Sequence, residues 1–225
     1  MKRLLCMMWV TLGILHADAP IKIGLIGDST VAQQSGWGPA FAKCFADGVE
    51  VHNHAVNGAT LDSLSKRLDK LLALKPDYVL IQFGHNDQKR YDTQAYSAKL
   101  KSYIERVQAA EVTPIVLSSV VRRTFDEDGQ IVQGIAKTPK FTFNASLTEY
   151  AKAAGTTAKR MEVNFIDLHH ISMEHHNRIG PEESHTYDFK EGDSTHFNAK
   201  GGKAIAALIV PELVAIVPEL KAHLR

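Results

Sequence analysis

The chain has 225 residues, 44% of them hydrophobic and 23% charged, enough to bury one substantial core in a single domain. With 26 basic and 25 acidic side chains it carries a formal charge of +1, without the basic excess of a nucleic-acid binder. Two cysteines, Cys6 and Cys44, exclude a disulfide-built scaffold.

In chain order, Lys2 and Arg3 precede an apolar run from Leu4 to Leu15, and Ala17-Asp18-Ala19 follows. That layout is a secretory signal, and the run is shorter than the ~20 residues a membrane-spanning helix needs. Pro20 disfavours a cut after Ala19, so a cut after Ala17 stays open. The expected division is residues 1–19 as signal peptide and 20–225 as the working domain of a secreted or periplasmic protein, with no membrane contact after cleavage. Cys6 leaves with the signal, so Cys44 has no intramolecular partner, and it precedes most of the apolar run, which argues against a lipid anchor.

Strands are predicted at Ile21–Ile26, Val49–Val56, Tyr78–Phe83, Pro114–Val120 and Val163–Ile166, and helices at Pro39–Ala46, Leu61–Leu74, Gln94–Ala110, Phe141–Lys159 and Ala199–Val210. In the second helix Leu61, Leu64, Leu68, Leu71 and Leu72 recur every three or four residues, with Thr60 placed as N-cap. Arg122–Gly134 reads as a small hairpin around Glu127-Asp128-Gly129, and Ile179–Gly192 as a polar loop with a Gly-Pro turn. The alternation of strand and helix implies a parallel sheet covered on both faces. Ligands then bind beyond the carboxyl ends of the strands.

Ser29, in Gly27-Asp28-Ser29-Thr30 behind the first strand, lies at that edge. Alone, such a turn is more often a helix cap. In Asp193-Ser194-Thr195-His196 the acid and the imidazole are three residues apart, so Asp193 can orient His196 as general base for a serine nucleophile. Gly58, in Asn57-Gly58-Ala59 behind the second strand, offers a backbone N–H, and Asn86, in Gly84-His85-Asn86-Asp87 behind the third, offers an amide. With the Ser29 N–H these supply the donors an acyl-transfer oxyanion requires.

These blocks resemble those of the SGNH (GDSL-type) hydrolases. Gly36-Trp37-Gly38, the segment Val121–Gly129, and Asp193–Asn198 followed by Gly201-Gly202 are similar to rhamnogalacturonan acetylesterases, and the likeness spans nearly all of residues 20–225. The resemblance implies a flavodoxin-like three-layer α/β/α sandwich with a central parallel five-stranded sheet. It implies Ser29, Asp193 and His196 as catalytic residues and Ser29, Gly58 and Asn86 as the oxyanion hole. Family members often carry Asn where this chain has Ser194.

Arg122 and Arg123, just past the fourth strand, are expected to overhang the cleft and fork onto uronate carboxylates. Trp37 and His85 are carried as further substrate contacts, although Trp37 reads better as a packing residue at a helix start and His85 as a loop-packing one. His169, His170, His175 and His176 crowd one segment without the spacing of a zinc motif, so no metal or cofactor is expected. The reading is a serine carbohydrate esterase acting on an acetylated polysaccharide, most of all pectic rhamnogalacturonan. A general acyl hydrolase and a non-catalytic carbohydrate-binding protein are the alternatives.

Overall fold

The computed structural model describes residues 19–135, 143 and 145–225. The expected signal segment, Ala19 apart, lies outside the described residues, as do residues 136–142 and 144.

Five strands form one all-parallel sheet in the order β2-β1-β3-β4-β5: β1 Ile21–Gly27, β2 Val49–Asn53, β3 Tyr78–Gln82, β4 Thr113–Leu117 and β5 Asn164–Ile166. Ile23, Leu25, Leu80, Ile115 and Leu117 point to one face, where they pack with Trp37, Phe41, Ile205 and Ile209. Ile26, Val79, Ile81 and Val116 point to the other, against Leu68, Leu71, Ile104 and Tyr150. With both faces covered, period-two alternation is hidden and each strand reads as a continuous apolar run.

Among the described residues six helices make the outer layers: α1 Gly38–Ala42, α2 Ser65–Leu72, α3 Thr93–Ala109, α4 Leu147–Arg160, α5 Leu168–His185 and α6 Ala199–Ile216. Strand order reverses between β1 and β3, so the crevice at their carboxyl ends is the place for chemistry in such a sheet.

Several boundaries differ from the sequence expectation for local reasons. Thr60 does not cap a helix; a turn closed by Ser63 N–H to Thr60 O at 3.1 Å and a short 3-10 segment, Asp62–Leu64, precede α2. The fourth helix starts at Leu147 because Ser146 and Glu149 form a capping box. The first half of the polar loop expected at 179–192 is the end of α5, which bends at Gly180 (φ 77°) where Pro181 interrupts its bonding. The small hairpin is present, with Phe125 bridged to Ile131 and Asp126 N–H bonded to Gln130 O at 2.9 Å.

Candidate active site

Two residues past β1, Ser29 sits on a turn built by its neighbours. Asp28 Oδ1 accepts from Thr30 N–H at 2.9 Å and from Thr30 Oγ1 at 2.8 Å. Thr30 Oγ1 accepts in turn from Gln82 Nε2 at 2.5 Å, and Gln82 Oε1 accepts from Trp37 Nε1 at 2.8 Å. All four side chains are buried, and a relay in which each link is paired fixes the turn in one conformation. Ser29 itself is 4% exposed, its hydroxyl held at the sheet edge.

From the far end of the chain, His196 Nε2 reaches Ser29 Oγ at 2.8 Å. Its Nδ1 lies 2.9 Å from Asp193 Oδ2 and 3.1 Å from Oδ1. A carboxylate only accepts, so Nδ1 carries the proton and the Nε2 lone pair faces the serine. Asp193 Oδ1 also accepts the backbone N–H groups of Thr195 at 3.1 Å and His196 at 3.0 Å. Burial pushes the Asp193 carboxyl up, but these bonds and the His196 charge outweigh it and hold the group below its ordinary value. The arrangement can deprotonate the serine hydroxyl and stabilise the imidazolium that forms.

The proposed oxyanion donors are brought together by two links. Ser35 Oγ donates to Ser29 O at 3.1 Å and to Asn57 Oδ1 at 3.3 Å, tying the nucleophile turn to the loop that carries Gly58. Asn86 Nδ2 donates to Ala59 O at 3.1 Å, which leaves its second N–H available. Lys89 Nζ donates to Asn86 Oδ1 at 2.9 Å and so fixes which end of that amide is the donor. Among the described residues, neither the Ser29 nor the Gly58 backbone N–H makes an internal hydrogen bond.

The expected substrate contacts fare differently. Trp37 is wholly buried against Phe41 and bonded to Gln82, so it packs beneath the nucleophile turn and cannot stack on a sugar. His85 is 2% exposed and donates from Nε2 to Val120 O at 2.9 Å; burial, with the Arg122 charge, drives its imidazole well below the ordinary value. It is an internal strut. Arg122 is half-buried over the Phe143 ring at 5.6 Å, and with the Gln88 amide turned to face it, Gln88 Oε1 accepts both its terminal nitrogens. Burial lowers its pKa to about 10. Arg123 is fully buried beneath the His196 loop. Neither arginine overhangs the cleft as a solvated rim.

Sequence reasoning missed Gln82, Lys89 and Asp188. Only Gln82 carried a signal, as the polar residue in the otherwise apolar run Tyr78–Phe83. The crowded histidines each have partners of their own: His169 bonds Ser119 O, His176 bonds Ser184 Oγ, and His175, edge to face with His176 at 5.3 Å, bonds the Tyr187 hydroxyl. Among the described residues no three His, Cys, Asp or Glu side chains converge as a metal's ligand set.

A cleft of about 580 Å³ lies between the start of α1 and the start of α6, lined by Gln33, Gln34, Gly36, Pro39, Ala40, Lys43 and Cys44 on one side and by Phe197, Asn198, Ala199, Gly202 and Lys203 on the other; none of Ser29, Gly58, Asn86, Asp193 and His196 lines it.

The profile of the GDSL-like lipase/acylhydrolase family matches residues 25–204. Rhamnogalacturonan acetylesterase RhgT of Bacillus subtilis is 34% identical over 232 residues, covering 91% of this chain and 94% of that one. The rhamnogalacturonan acetylesterase of Emericella nidulans is 26% identical over 225 residues, covering 91% and 89%. The crystal structure of Bacillus subtilis YxiM superposes with a TM-score of 0.71 at 24% identity, over 87% of this chain and 56% of that one.

Proposed function

This chain belongs to the GDSL-like lipase/acylhydrolase family and is a carboxylic ester hydrolase, and on that premise we propose that it removes O-acetyl groups from a plant-type polysaccharide, pectic rhamnogalacturonan above all. The observation that carries the reading is the line of contacts Asp193–His196–Ser29, at 2.9 and 2.8 Å. Ser29 Oγ attacks the acetyl carbonyl as His196 Nε2 takes its proton. The negative charge on the carbonyl oxygen is met by the Ser29 and Gly58 N–H groups and the Asn86 amide. His196 then gives the proton to the departing sugar hydroxyl, leaving acetyl on Ser29. Water, deprotonated by His196, attacks that ester, and acetate is released as His196 returns the proton to Ser29 Oγ.

Two relatives named as rhamnogalacturonan acetylesterases, each matching about nine-tenths of the chain, support the carbohydrate substrate. Export rests on the Lys2-Arg3, Leu4–Leu15 and Ala17-Asp18-Ala19 pattern, and N-terminal sequencing of the protein from culture fluid or periplasm tests it. Acetate release across acetylated rhamnogalacturonan, acetylated xylan and acetylated chitin tests the substrate. The pectic polymer is expected to be cleaved fastest, and faster turnover of xylan or chitin contradicts the reading.

A further inference from the structure

Residues 193–196 carry the base and its acid on a loop, and a loop needs a tie to hold an imidazole within hydrogen-bond reach of a serine. Among the described residues, hydrogen bonds to this segment from outside residues 186–198 come from two residues, Ser29 and Arg123. Arg123 Nη2 donates to Asp193 O at 2.8 Å and to His196 O at 2.6 Å, and its backbone N–H donates to Ser194 O at 2.9 Å. We propose that Arg123 is the positioning residue of the reaction, clamping the acid–base pair in register with Ser29.

The clamp is anchored at its other end. The segment leading to Arg123 is tied to the body by His85, which donates to Val120 O at 2.9 Å, and by Ser172, whose Oγ accepts from Val121 N–H at 3.2 Å. The guanidinium is aimed by Asp188, whose Oδ1 accepts from Nε at 2.8 Å, and it lies 4.6 Å over the Phe197 ring. Asp188 is itself 6% exposed and is held from Oδ2 by His185 Nδ1 at 3.1 Å.

Stability alone gives no reason for such a group. A fully buried Arg–Asp pair loses two hydration shells, and replacing both partners with apolar side chains is often neutral or stabilising. A planar fork that spans a carboxylate and two carbonyls at once does what an apolar filler cannot, and a lysine's single ammonium cannot span them either. Displacing a catalytic group by about 1 Å costs on the order of a hundredfold in rate.

The inference rests on the serine mechanism proposed above, and the two fail separately. Activity that survives Ser29→Ala ends the mechanism, whereas Arg123 is tested by Arg123→Lys and the paired change Arg123→Met with Asp188→Leu, which removes both charges together. Each is assayed on an aryl acetate, below the melting temperature given by circular dichroism, with competent sites counted by fluorophosphonate labelling. Both variants are expected to stay folded and to lose about a hundredfold in kcat per site with KM changed by less than about threefold. A merely structural arginine would lower the melting temperature and leave kcat per site alone. Either variant retaining kcat within about threefold of wild type overturns the proposal.

Discussion

Among the described residues Trp37 and Arg123 are the largest fully buried side chains; Arg123 was expected to touch substrate, whereas Trp37, carried as a substrate contact, read better as the packing residue it is. Composition reveals that an arginine is present but not which way it points. In an extended segment successive side chains face opposite sides, so Arg122 turns to Gln88 and Phe143 while Arg123 turns to Asp188 and the His196 loop. Ser29 and its partners were legible because a serine follows the first strand in a tight turn and an acid stands three residues before an imidazole, a spacing that lets Asp193 orient His196. Trp37→Phe keeps most of the packing but leaves Gln82 Oε1 unpaired in a dry site, and should cost about 1–3 kcal/mol by denaturant unfolding. KM on acetylated polysaccharide should not change; a large rise would restore the stacking role. Asp193→Asn removes the acceptor that sets the imidazole tautomer, and kcat should fall by about 10²- to 10⁴-fold in a steady-state assay.

At the scale of elements, the five strands were legible because burial on both faces makes each an apolar run, and α2 because its leucines share one face. The helix α5 was not. Its histidines and glutamates show no clear apolar face, and Gly180-Pro181 reads as a turn although the chain resumes helical bonding beyond it. The loops that leave β2 and β3 depend on glycine for two different reasons. Gly58 has φ 76° with nothing near an added Cβ, so Gly58→Ala should cost about 1–2 kcal/mol in backbone strain alone and lower kcat as its N–H moves. Gly84 has φ 149°, and a Cβ there would lie 2.2 Å from Ser119 Oγ, which is bonded to Phe83 O at 2.8 Å. Gly84→Ala should therefore destabilise more than Gly58→Ala in thermal melts, and the reverse order would contradict these backbone placements.

For the whole molecule, burial makes stability depend on pH through opposed groups. It lowers His54, His85, His169 and His175 below the ordinary histidine value and, with nearby positive charge, takes His176 to about 3. The unfolded chain then binds protons the folded chain refuses, so what these groups contribute is whole above pH ~6.5 and lost as pH falls toward their folded values. Burial acts oppositely on carboxyls: it raises Asp28, and with the Asp28 charge nearby it takes Asp87 to about 7, so their contribution is whole below pH 3.8 and, for Asp87, lost as pH rises through about 7. Five imidazoles outweigh two carboxyls, and the melting temperature should fall as pH drops from 7 to 4. Asp87→Asn removes one opposing group and should steepen that fall; a shallower fall would contradict the assignment. The most direct test of the serine-esterase mechanism is acetate release from acetylated rhamnogalacturonan by Ser29→Ala, with fluorophosphonate adducts mapped by mass spectrometry in parallel. A loss of roughly a thousandfold or more and a single wild-type adduct, on Ser29, are expected. Release above a tenth of the wild-type rate, or an adduct on another residue, would contradict that mechanism.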